Sequence, residues 1–133
     1  MSTKKILIID DDEHLLMGLG AKLKANGFTV VTVMDAVSAI SVAQKESPDL
    51  VLLDLGLPAG GGFLTLERMK SLADLAETPI IVLSARDPSG NKQRALEGGA
   101  VAYFQKPPDN YELLAAIRSA CGETPGLSRF LKT

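Results

Sequence analysis

The chain has 133 residues, 46% of them hydrophobic and 23% charged, with a net charge of −2, values of an ordinary soluble domain large enough for its own core. No apolar run approaches the about 20 residues of a membrane-spanning helix, no signal-peptide pattern opens the sequence, and no basic block points to direct nucleic-acid binding. Cys121 is the sole cysteine, which excludes an internal disulfide and fits a reducing, cytoplasmic setting.

In chain order, the first predicted strand is KILII (5–9), rich in aliphatic residues without alternation, as a strand buried on both faces should be. The acids DDD (10–12) follow, with Asp12 placed to cap a helix. Leu15, Leu16, Leu19 and Leu23 then fall on one helical face, and Asn26 and Gly27 end it. His14 stands alone, without a cysteine or second histidine nearby, so a zinc site is not expected. A second strand, TVVTV (29–33), leads to Asp35, a predicted N-cap, and to the stripe Ala36, Ala39, Ile40 and Ala43.

The third strand, LVLL (50–53), runs into Asp54. A loose turn, PAGGG (58–62), precedes a third helix marked by Leu66 and Met69. The fourth strand, PIIVL (79–83), ends at Ser84. The segment 87–99 holds a helix with few apolar residues, chiefly Ala95 and Leu96, and should be short, weakly anchored and comparatively mobile. The fifth strand, VAYF (101–104), leads to Lys106, and DNYE (109–112) opens a last helix with Leu113, Leu114, Ile117 and Cys121 on one face.

Strand and helix alternate throughout, which predicts a parallel sheet with helices on both faces and a site beyond the strands' carboxyl ends. Asp10, Asp11 and Asp54 converge there, with the Ser84 hydroxyl and the Lys106 ammonium. Crowded carboxylates repel one another unless a cation intervenes, and an all-oxygen set suits Mg²⁺. A carboxylate beside Mg²⁺ can attack phosphorus and become an aspartyl phosphate. The plainer alternatives are that Ser84 bonds only to backbone, Lys106 only neutralises the acids, and Tyr103 only fills the core.

Four motifs in register, ILIIDDDEHLL, PDLVLLDLGLP, PIIVLSAR and GGAVAYFQKP, resemble the receiver domains of bacterial two-component response regulators, chemotaxis regulators among them, over roughly residues 4–121. The resemblance implies an α/β, flavodoxin-like, doubly wound five-stranded parallel sheet of order 2-1-3-4-5 with five helices, a domain at 1–121 and a tail or linker start at 122–133. It implies Asp54 as phosphoacceptor, Asp10, Asp11, Asp54 and the Gly56 carbonyl as Mg²⁺ ligands, Lys106 on the phosphate, and Ser84 and Tyr103 as switch residues. A cis bond before Pro107 is implied as well. The donor would be a phosphohistidine on a sensor histidine kinase or histidine phosphotransfer protein, and the chain would act only on its own Asp54.

The resemblance further implies that phosphorylation draws Ser84 inward, turns Tyr103 inward and changes the face of the fourth helix, fifth strand and fifth helix. That face would be read by a downstream protein, a fused effector domain, or a second copy in an activation homodimer, without membrane contact. Two departures stand out: the glycine-rich PAGGG turn, and Pro108 where a large apolar residue is usual. Gly56 and Arg86 occupy positions that bear on phosphoryl lifetime in the family.

Three other readings remain. A degenerate receiver would serve as a binding module without phosphorylation. A Mg²⁺-dependent phosphohydrolase resembling haloacid dehalogenases would need an acid where Gly56 stands. A flavin- or nucleotide-binding domain would want a phosphate-cradling loop where IIDDDEH is acidic.

Overall fold

The computed structural model describes residues 3–122, so the expected tail lies, from residue 123 on, outside the described residues. Five strands form one parallel sheet: β1 (Lys5–Ile9), β2 (Thr29–Val33), β3 (Leu50–Leu53), β4 (Ile80–Ser84) and β5 (Ala102–Gln105). Their order is β2-β1-β3-β4-β5, as expected. Two strands start one residue later than the apolar runs suggest. Pro79 has no N–H to give a ladder and contributes only its carbonyl, to the Val51 N–H at 3.0 Å. Val101 is half exposed and precedes the first paired residue, Ala102, which stands opposite Ile81.

The helices are α1 (Glu13–Ala25), α2 (Ala36–Glu46), α3 (Gly61–Ser71), α4 (Pro88–Glu97) and α5 (Asn110–Ala120). Capping chemistry sets their starts. Asp12 accepts from the His14 and Leu15 N–H groups, Asp35 from Ser38 N–H at 2.7 Å, and Asp109 from Glu112 N–H at 2.9 Å. At the far end of α1, Asn26 is the C-cap and Gly27 takes φ +92°.

Alternating strand side chains feed two cores. Ile6, Ile8, Leu50, Leu52, Ile81 and Leu83 pack with Leu16 and Leu23 of α1 and Leu113 and Ile117 of α5. Leu7, Ile9, Val51, Leu53, Ile80 and Val82 pack with Ala39, Ile40 and Ala43 of α2, Leu66 and Met69 of α3, and Ala95 of α4. Each fully buried aliphatic side chain is worth about 1.5–3 kcal/mol, and both faces of the central strands contribute.

The PAGGG segment is tighter than the expected loose turn. Pro58–Gly60 form a 3-10 turn with Ala59 in the left-handed region at φ 57°, and Gly61 already begins α3. Gly61 and Gly62 are buried. A Cβ on Gly62 would lie 2.4 Å from the Leu55 Cα and 2.7 Å from the Asp54 and Leu55 carbonyl oxygens. That glycine therefore serves close approach between α3 and the chain just after β3, not loop freedom. Helix α4 is short, as expected, with Ala95 as its only buried residue. Its first turn is broken at Ser89 (ψ 117°) and Gly90 (φ 73°).

Candidate phosphoacceptor and metal site

The parallel ladder carries the acids to one edge. Asp10 leaves β1 with its N–H bonded to the Val33 carbonyl at 3.0 Å, and Asp54 leaves β3 with its N–H bonded to the Ile9 carbonyl at 2.9 Å. The two residues are thereby held in adjacent register, 2% and 5% exposed. Asp11 is exposed at the rim. Oxygens of Asp10, Asp11 and Asp54 lie within 4.8 Å of one another, the one such metal-competent group among the described residues.

Lys106 enters from the end of β5, its N–H donating to the Ser84 carbonyl at 2.7 Å. Its Nζ donates to Asp10 Oδ2 at 2.7 Å and stands 3.7 Å from Asp54 Oδ1. The lysine thus bonds directly to Asp10 and only approaches Asp54. Asp10 Oδ1 also accepts the Asp12 N–H at 2.9 Å, and Asp54 Oδ1 accepts the Gly56 N–H at 2.9 Å. The peptide bond from Lys106 to Pro107 is cis, as the resemblance implies.

Burial pushes the Asp54 carboxyl above the ordinary carboxylate range, and the negative charges of Asp10 and Asp11 push it further. The Gly56 N–H and the Lys106 ammonium oppose this without overcoming it. Three acids thus share one ammonium, and the site is short of positive charge. A hard divalent cation answers that deficit: carboxylate oxygens converge, nitrogen and sulfur donors are absent from the group, and Mg²⁺ tolerates a few protein oxygens completed by water. The residues present fit Mg²⁺.

Gly56 keeps one side of Asp54 open, since a Cβ there would sit 3.2 and 3.3 Å from its two carboxylate oxygens. Ser84 is wholly buried at the end of β4, its Oγ accepting the Arg86 N–H at 3.1 Å. Tyr103 is 9% exposed and donates its hydroxyl to the Arg86 carbonyl at 2.8 Å. The resemblance assigns the inward turn of Tyr103 to the phosphorylated state; here its ring is already packed among the core residues shared with α2, α3 and α4.

The Arg86 backbone as a link between Ser84 and Tyr103 was not legible in the sequence, because a main-chain group works there and any non-proline residue supplies it. Pro108, the other departure, lines a groove of about 420 Å³ between α1 and the start of α5, together with Leu15, Leu19 and Leu83.

Comparison with known proteins agrees with this geometry. The sequence matches the response regulator receiver domain over residues 6–118. It is 35% identical over 115 residues to the response regulator PleD of Caulobacter vibrioides, covering 86% of this chain and 25% of that protein. It is 38% identical over 115 residues to the transcriptional regulatory protein KdpE of Mycobacterium tuberculosis, covering 86% of this chain and 50% of that one. The chain thus spans between a quarter and a half of the length of these relatives. The receiver domain of the sensor histidine kinase PA1611 from Pseudomonas aeruginosa PAO1, solved with a magnesium ion in its active site cleft, superposes with a TM-score of 0.82 at 25% identity, over 92% of this chain and 100% of that one. By sequence and by fold, this chain belongs to the receiver domain family of two-component response regulators.

Proposed function

We propose that Asp54 accepts a phosphoryl group from a phosphohistidine on a sensor histidine kinase or a histidine phosphotransfer protein. The observation that carries this reading is the convergence of the open-sided Asp54 carboxylate with Asp10, Asp11 and Lys106. Asp10, Asp11, Asp54 and the Gly56 carbonyl would hold Mg²⁺, as the magnesium-bound Pseudomonas receiver supports. When bound, the cation neutralises the crowded carboxylates and the phosphoryl oxygens.

This chain's residues supply the remainder. An Asp54 oxygen forms the new bond to phosphorus as the bond from phosphorus to the donor's imidazole nitrogen breaks, its electron pair leaving on that nitrogen. Lys106, held by Asp10 beside Asp54, offers its ammonium to a phosphoryl oxygen. The Ser84 hydroxyl, released from Arg86, donates to another. No separate substrate is turned over; the chemistry begins and ends on Asp54.

The added charge of about −2 shifts the balance between two packings rather than making a new fold. With Ser84 withdrawn from Arg86, the inward Tyr103 and the weakly anchored α4 settle into the arrangement that a target protein, a fused effector domain or a second copy reads on the α4-β5-α5 face. No helix among the described residues is long and apolar enough to cross a membrane, and this domain makes no nucleic-acid contact of its own.

The test is intact mass after incubation with acetyl phosphate, with and without Mg²⁺, on the wild type and Asp54→Asn. A Mg²⁺-dependent gain of one phosphoryl group, absent in the variant, is expected. No adduct and no response to beryllofluoride would leave a binding module, and sustained phosphate release from phosphomonoesters would make it a hydrolase.

A further inference from the structure

Among the described residues, strand β2 forms one border of the sheet and pairs only with β1. The Thr29 N–H donates to the Lys4 carbonyl and the Val33 carbonyl accepts from Asp10, so Thr29, Val31 and Val33 turn their main-chain groups toward β1. Backbone direction alternates along a strand, which leaves the N–H and C=O groups of Val30 and Thr32 facing outward.

Natural edge strands are commonly guarded by a charge, a proline or a bulge. TVVTV has none of these: it is uncharged and β-branched, and its register with β1 is unbroken over all five residues. An apolar shelf borders it. Leu16, Met17, Gly20 and Ala21 of α1 line a groove of about 400 Å³ with Val30 and Thr32, and Met17 is 74% exposed.

The charges along this edge identify the occupant. Lys24, in the last turn of α1, lines the groove. Glu13 stands in the first turn of α1, and Asp35 caps α2 just beyond the other end of the strand. The edge is therefore basic where β2 begins and acidic where it ends. Antiparallel pairing with an identical edge sets each basic end against an acidic one; parallel pairing would set like against like.

We propose that β2 is a self-association surface, pairing antiparallel with β2 of a second copy about a two-fold axis through Val31. Val30 then stands opposite Thr32 of the second copy, and Thr32 opposite its Val30, with about four new main-chain hydrogen bonds. Val31 faces its own equivalent, and Met17 of each copy extends the apolar strip. The area is small, so the dimer is weak and concentration-dependent. It needs no phosphorylation and leaves the α4-β5-α5 face free.

The test is sedimentation velocity on the unphosphorylated chain over a concentration series, with wild type, Thr32→Pro and Thr32→Lys. Proline at an outward-facing edge position removes the donor while sparing the β1 ladder, and the exposed lysine adds a like charge near the axis. The wild type should shift toward dimer as concentration rises; both variants should stay monomeric, with circular dichroism confirming the fold. A second arm uses Val31→Cys in a Cys121→Ala background, which should cross-link under mild oxidation, whereas Val37→Cys on α2 should not. A chain that stays monomeric at all concentrations overturns the proposal and leaves the edge to an extended segment of another protein. A dimer indifferent to both Thr32 variants, or equal cross-linking at positions 31 and 37, overturns it as well.

Discussion

Tyr103 and Ser84 are joined through the main chain of Arg86, whose N–H donates to Ser84 Oγ at 3.1 Å and whose carbonyl accepts the Tyr103 hydroxyl at 2.8 Å. Moving Ser84 therefore disturbs the acceptor that holds the ring. Tyr103→Phe should lower stability by about 1 kcal/mol through the lost hydrogen bond. Ser84→Ala and Tyr103→Phe together should fall short of the sum of the singles by about 0.5 kcal/mol or more in a urea-unfolding double-mutant cycle. Strict additivity would show that Arg86 does not couple them.

The raised Asp54 carboxyl has a defined stability signature. A carboxyl whose folded-state pKa is raised holds its proton more tightly folded than unfolded, so folding is penalised once it ionises. The penalty is absent below the ordinary carboxylate pKa, grows as pH climbs from there through the raised folded value, and is full above it. Asp54→Asn should accordingly stabilise the metal-free protein at neutral pH by about 1 kcal/mol, a gain that disappears on acidification through that window. Thermal melts in chelator across pH check this. Added Mg²⁺ should raise the wild-type Tm more than that of the variant.

Lys106 is the single ammonium among the acids in the described residues, so Lys106→Met should destabilise the metal-free protein by about 1–3 kcal/mol. Mg²⁺ should restore much of that loss, because the damage is unneutralised charge rather than lost packing. Chemical denaturation with and without Mg²⁺ separates the two. A loss insensitive to the cation would mean that the lysine acts through its stem.

Two glycine substitutions should move in opposite directions. Gly18 lies within α1 with nothing within 4 Å of an added Cβ, so Gly18→Ala should stabilise by about 0.5–1 kcal/mol through backbone entropy and helix propensity. Gly62→Ala should destabilise by about 1–3 kcal/mol, because its Cβ would collide with the backbone of Asp54 and Leu55. The same collision acts on Asp54, so Gly62→Ala should also weaken the Mg²⁺ binding proposed for this site, measured by calorimetry.

The parallel sheet and the acidic edge were legible because each rests on side-chain chemistry: aliphatic runs buried on both faces, aspartates at helix starts, a lysine at a strand end; the strand order came from the family resemblance. What escaped the sequence rests on backbone. The PAGGG stretch reads as slack by composition, yet Gly62 is there for a contact of its Cα with β3's continuation. The interruption of α4 at Ser89 and Gly90 hides inside a segment whose few apolar residues already mark it as weak. Tyr103 was singled out as a switch residue through the family resemblance, but its hydrogen-bond partner is a carbonyl, and no residue type advertises that.

The division of the interior by the sheet has a consequence for how such a chain can diversify. Tyr103 and Ala95 belong to one core, with α2 and α3; Leu16, Leu23, Leu113 and Ile117 of α1 and α5 belong to the other. A repacking around Tyr103 acts directly on α2, α3 and α4, and reaches α5 only through the sheet. Substitutions on the outer surface of α1 therefore act across the sheet from Tyr103 and leave its immediate packing untouched.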